Sequence, residues 1–120
     1  YWFSIIICLI NLRSNIARKF IMKFICLDIS QPNATIEQYQ PHMRNEALHG
    51  WELYKSGVIR DIYFRQDRPG VVIIAEADSV DAAKKALNEF PLAKAGLIGW
   101  DVIPLGPFTN WEMLFAAQNT

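Results

Sequence analysis

Hydrophobic and polar positions along this chain switch repeatedly between a period of two and a period near 3.6. From Met22 to Asp28 the residues read as a strand, and a Ser30-Gln31-Pro32-Asn33 loop follows. Ile36, Tyr39, Met43, Ala47 and Tyr54 then recur at helical spacing, with Gly50 and Trp51 bordering the same face. Thr35 is the natural N-cap and Gly57 the C-terminal stop. Pro41 lacks an amide donor and crowds the preceding turn, so the pattern predicts a short lead-in from Thr35 and a main helix beginning near Pro41 or His42. Two strand-like runs, Val58–Gln66 and Val71–Ala77, flank Asp67-Arg68-Pro69-Gly70 and form a hairpin. A second helix starts after Asp78-Ser79, keeps its apolar period through Val80, Ala83, Leu87 and Phe90, and should end at Pro91. Leu97 to Leu105 is a last strand, after which Gly106-Pro107 releases an aromatic tail, Phe108 to Phe115.

The order is βαββαβ, which folds most readily as an α+β unit: a four-stranded antiparallel sheet with both helices on one face, the ferredoxin-like arrangement. One strand asks for more than that. Val71-Val72-Ile73-Ile74-Ala75-Glu76-Ala77 is apolar on both faces, so the chain's helices can cover only one of them. The other cover is expected from the sheet of a symmetric partner, a homodimer. The tail aromatics Phe108, Trp111 and Phe115, with Leu114, would be a sticky patch in water and are expected to dock on a neighbouring subunit.

At 120 residues the chain is one domain. Its formal charge is zero, but Arg13, Arg18 and Lys19 precede Met22, leaving the remainder acidic by three charges. The positive residues there are scattered, without the basic stripe that phosphate-backbone binding needs, and nucleic acid is not an expected partner. Cys8 and Cys26 offer neither a disulfide framework nor a thiolate metal site, which suits a reducing, cytoplasmic compartment. Tyr1 to Leu12 is apolar but shorter than a bilayer span, and its positive charges follow the run where a secretory signal places them before it, so no membrane association is expected. Because Met22 opens a clean strand and the first residue is not Met, residues 1–21 read as an upstream-translated or non-native extension, and 22–120 as the domain with its docking tail.

Candidate chemistry gathers in two places. On the hairpin, a loop of two or four residues pairs positions summing to 137, which sets Asp61 opposite Glu76, Tyr63 opposite Ile74 and Arg65 opposite Val72. Two opposed carboxylates are costly when both are charged, so one can keep its proton and act as acid or base, with Tyr63 sharing the hydrogen bond; Arg60 or Arg65 neutralising the pair is the plainer alternative. On the main helix, His42, Glu46, His49 and Leu53 form a stripe beside the apolar face, along the helix-to-sheet seam where a small-molecule pocket would open. A single helix supplies no second ligand set, so no metal is expected there, and a solvated flank is the plain reading of the histidines. Trp51, Tyr54 and Trp100 read as core or interface aromatics, or as pocket walls. No phosphate-binding glycine loop, nucleophile elbow or serine–histidine–aspartate order is present.

The block Asp78-Ser79, Ala83, Leu87, Phe90-Pro91-Leu92 and Asp101-Val102-Ile103-Pro104-Leu105 resembles the second half of the muconolactone isomerase family, over about half of the domain. Pro41-His42, Trp51-Glu52-Leu53-Tyr54 and Arg60-Asp61-Ile62-Tyr63-Phe64-Arg65 look more like uncharacterised relatives of that family. The resemblance implies a dimeric α+β barrel, with two sheets packed face to face and further dimers able to build a ring. It also implies cofactor-free proton transfer on a small unsaturated acid or lactone. On that reading His42, Glu46 or Glu76 moves the proton, Arg60 or Arg65 holds a substrate carboxylate, and Trp51, Tyr54 and Trp100 form the walls. Two alternatives share the architecture: a non-catalytic small-ligand-binding barrel, and a cofactor-free monooxygenase.

Overall fold

A computed structural model describes residues 21–116. Strand β1 (Met22–Ser30) leads to a single-turn helix α1 (Ile36–Tyr39), a 3-10 turn (Gln40–His42) and helix α2 (Met43–Ser56). The hairpin of β2 (Ile59–Phe64) and β3 (Val71–Ala77) follows, then α3 (Val80–Asn88), a short α4 (Pro91–Lys94), β4 (Ile98–Leu105) and a 3-10 segment (Thr109–Leu114). The strands lie in the order β2-β3-β1-β4 and every neighbouring pair is antiparallel. This is an α+β chain with an open four-stranded sheet, compatible with the ferredoxin-like arrangement. Apart from Ile21, the extension expected over residues 1–21 lies outside the described residues.

Local chemistry sets the helix ends. The Thr35 hydroxyl accepts from Gln38 N–H while Thr35 N–H donates to Gln38 Oε1 at 2.8 Å, a reciprocal capping box that starts α1. Pro41 then interrupts the ladder, the chain passes through a 3-10 turn, and α2 starts at Met43, just past the expected position. Gly57, at φ 87°, closes α2 in the left-handed conformation with its N–H on the carbonyls of Leu53 and Tyr54. Ser79 caps α3, its hydroxyl accepting from Ala82 N–H at 3.1 Å. Pro91 does not end that helix: α3 stops at Asn88, and Pro91 opens α4, where a missing N–H costs nothing because a first-turn amide has no intrahelical partner.

The core lies between α3 and one face of the sheet. Phe24 and Cys26 from β1, Ile73 and Ala75 from β3, and Leu87 from α3 are wholly buried, joined by Ile59, Ala83 and Phe90. The Cys26 thiol is pushed up to about 11, chiefly by burial and further by the Asp101 carboxylate, so it packs as a small apolar group. Helix α2 is different: it buries no residue, and its apolar side stands off the sheet. On the sheet's opposite face, Ile25, Leu27, Val72 and Ile74 are only half-buried, and Ile29, Ile103 and Leu105 remain 52, 37 and 42% exposed. The described residues thus leave that apolar face open. The tail aromatics Phe108, Trp111 and Phe115 are exposed as well, with Phe108 and Trp111 edge to face at 5.3 Å. No helix among the described residues is long and apolar enough to cross a membrane.

Candidate functional site

The gap between α2 and the sheet is a cavity of about 540 Å³. It exists because α2 turns small residues, Ala47 and Gly50, toward the sheet, while its large aromatics sit at the rim. Trp51 and Tyr54 stack there at 5.7 Å and 21°, both about half-exposed. Ile73, Phe90, Leu92, Ile98 and Trp100 form the inner wall. A Cβ at Gly50 would meet Cε1 of the Phe90 ring at 3.7 Å, an ordinary contact. A volume of this size, largely apolar with a few polar groups, is typical of small-molecule sites.

Two carboxylates stand out in that apolar lining. Glu46 reaches across from α2, and its Oε2 accepts the N–H of Leu92 at 2.9 Å in the first turn of α4. Burial raises the Glu46 carboxyl above its ordinary value and the nearby Asp28 charge adds to the rise, while the Leu92 N–H, His49 and His42 pull against it. Asp28, near the end of β1, points the same way as Phe24 and Cys26, and its Oδ1 accepts from Val71 N–H at 2.8 Å. The approach of Asp28 requires Gly70: at φ 153°, a Cβ there would lie 2.8 Å from Asp28 Oδ1. Trp100 lines the wall through its ring, while its Nε1 is buried out of reach of the open space and without a hydrogen-bond partner among the described residues.

The other expected site residues fall elsewhere. Tyr63 borders the cavity from the edge strand, although its register with Val72 turns its side chain toward the opposite sheet face. His42 is not among the lining residues. His49 donates from Nε2 to the Ala86 carbonyl at 3.1 Å and meets Phe90 edge to face at 4.5 Å, which makes it a strut between α2 and α3. Arg65 forks onto Asp67 with bonds of 2.9 and 2.6 Å, holding that carboxyl down to about 2, and neither residue lines the cavity. Arg60 sits 3.9 Å from Glu76, and both face a separate cleft of about 320 Å³ that also includes Ser56 and Asp78. Among the described residues no three histidine, cysteine or acidic side chains share a point where a metal ion could sit, His42, Glu46 and His49 included.

The hairpin register differs from the one the turn suggests. Arg65 N–H bonds the Gly70 carbonyl at 2.8 Å, so the loop closes one step earlier, and β2 bulges between Ile59 and Asp61. Asp61 therefore faces Ile74 and Tyr63 faces Val72, while Glu76 pairs across β1 with Lys23. The opposed carboxylates dissolve, and the cation beside Glu76 is Arg60, at 3.9 Å. Asp28 is the polar cavity residue that motif reading passes over. Its signal was parity: it follows Met22, Phe24 and Cys26 on the core-facing side of β1, where a carboxylate needs a reason to be.

No family model matches the sequence, and no curated protein matches it.

Proposed function

We propose that this protein is a small-molecule enzyme of the muconolactone-isomerase type, in which Glu46 moves a proton on an unsaturated compound held under α2, without a cofactor. The observation that supports it best is Glu46 itself: a carboxyl in an apolar cavity, with Oε2 fixed by Leu92 N–H and its pKa raised by burial. Anchoring one oxygen orients the other, and a raised pKa brings the group nearer to neutral pH, where a general acid–base is most effective. Trp51 and Tyr54 act as the rim, and Trp100 as the wall. Glu76, paired with Arg60, has a structural role. The protein works as a homodimer, two sheets meeting across Ile25, Ile74 and Ile103 in an α+β barrel. The open apolar face supports this, being the kind of surface that marks an interface.

The test incubates unsaturated lactones and enones in deuterated water with wild-type, Glu46→Gln and Glu76→Gln protein, following deuterium uptake and double-bond migration by NMR. Wild type and Glu76→Gln are expected to turn over, and Glu46→Gln to lose about 100-fold or more. Full rates in Glu46→Gln would refute the assignment. Stabilisation by many unrelated apolar compounds without turnover would instead mark a binding protein, and oxygen consumption with a quinol would mark a monooxygenase.

A further inference from the structure

We propose that the cavity under α2 takes a planar aromatic molecule of two to three fused rings, larger than the small acid or lactone that the sequence resemblance implies. This names the substrate class for the function proposed above and rests on the cavity being the reaction site.

The size of the space, the reach of its apolar lining and the side chains that form it point the same way. An apolar cavity of roughly 150 Å³ is enough to hold one benzene ring, whereas the space under α2 is about 540 Å³. A single ring would fill about a third of it, leaving void or water against apolar walls, and neither recovers the contacts of a filled space. The apolar lining also runs from floor to mouth. Ile73 and Phe90 are buried at the bottom, while Ile62, Tyr54 and Phe64 at the opening remain 47, 51 and 77% exposed. Ile62 pairs with Ile73 and Phe64 with Val71, which turns both β2 side chains toward the helix side of the sheet, so this exposed surface belongs to the cavity and not to the open face opposite. A ligand that fills the floor and covers the rim has to be longer than one ring.

The aromatic side chains set its shape. Phe90 and Trp100 lie 5.6 Å apart in the wall, and Trp51 and Tyr54 stack 5.7 Å apart at the rim. Ring faces and edges hold a flat π-system more tightly than its buried area alone accounts for, a gain that a saturated skeleton of the same size lacks. Ala47 and Gly50 keep the helix wall free of long side chains, which leaves a slot for such a body between α2 and the sheet. Glu46 lines the same slot, so a ring system lying there comes beside the carboxyl assigned to proton transfer.

The probes are phenol, 2-naphthol and 2-anthrol, which share one hydroxyl and add one fused ring at a time. In fluorescence and calorimetric titrations at neutral pH, each added ring is expected to tighten binding to the wild-type protein by about 10-fold. Decahydro-2-naphthol, the saturated two-ring analogue, should bind at least ~3-fold more weakly than 2-naphthol. Gly50→Phe puts a ring of the protein's own into the slot, and its Cβ makes only an ordinary contact, 3.7 Å from Phe90 Cε1. In that variant 2-anthrol should lose at least ~10-fold while phenol stays within ~2-fold of wild type. Ala47→Phe takes up similar room about one turn earlier and decides the matter if Gly50→Phe does not fold. Equal affinity of wild type for phenol and 2-anthrol, ring-by-ring gains undiminished in the folded variant, or a saturated analogue that binds as tightly as 2-naphthol overturns the inference. The two readings separate: ring-dependent binding that the variant abolishes, without deuterium uptake into any compound, sinks the proton-transfer reading alone. Glu46-dependent exchange on single-ring lactones, in a protein that binds 2-anthrol no tighter than phenol, sinks this one alone.

Discussion

Gly70→Ala is a change of one methyl group that should act on the cavity through Asp28. The new Cβ would stand 2.8 Å from Asp28 Oδ1 and 3.3 Å from Arg65 Cδ, where nearly all real contacts are longer. Asp28 is short, and that oxygen already accepts from Val71 N–H, so it cannot yield without giving up the bond. Two costs result: holding alanine at a φ of 153°, of order 1–3 kcal/mol, and losing a charged hydrogen bond that leaves Val71 N–H unpaired, about 1–3 kcal/mol more. In an Asp28→Ala background the second cost has already been incurred, and only the backbone strain remains. A double-mutant cycle of Gly70→Ala and Asp28→Ala, measured by guanidinium unfolding with a circular dichroism readout, should therefore show the two changes costing less together than the sum of each alone, by roughly 1–3 kcal/mol. For a domain of this size each kcal/mol shifts Tm by about 4–8 °C, so the effect is well within reach. Additivity within about 0.5 kcal/mol would refute the reasoning, since it would mean that Gly70 and Asp28 do not compete for the same space.

Two further outcomes follow from the same geometry. Because burial raises the Glu46 carboxyl above 4.5, the native state holds more protons than the unfolded chain in the window just above that value, and stability falls as pH rises through it. Glu46→Gln, neutral and still able to accept from Leu92 N–H, should unfold at a higher temperature than wild type at neutral pH, the advantage vanishing near about pH 4 in a series of thermal melts. On the open sheet face, Ile74→Arg should turn a wild-type dimer at micromolar concentration into a folded monomer in sedimentation velocity; a monomeric wild type would remove the barrel from the account.

The fold was readable in the sequence because its signals were local. Val71–Ala77 appears as expected, Thr35, Ser79 and Gly57 act as the caps and the stop they resemble, and Pro41 delays α2 through its missing amide. The register of β2 on β3 was not readable. A turn rich in Asp, Pro and Gly allows more than one closure, and the Arg65–Asp67 fork and the bulge at Arg60 decide among them through contacts that spacing does not encode. Half of the candidate site was readable for the same reason: Glu46, Trp51 and Tyr54 share one helix, and period alone sets Tyr54 on its apolar face, Trp51 at the border and Glu46 on the stripe beside it. Asp28 and its bond to Val71 N–H join residues far apart in the chain, and neither the orphaned indole of Trp100 nor the engagement of Arg65 can be known before the elements are packed.

The central claim, that the space under α2 is where a small molecule binds, is tested most directly by a nitrogen-15 correlation spectrum during titration with an unsaturated lactone, read at the amide of Leu92 and the indole of Trp100. Saturable shifts of both signals are expected, with the amide of Val71 moving in step. A Trp100 signal that stays in place while shifts gather around Arg60 and Glu76, or across the open face of the sheet, would contradict it.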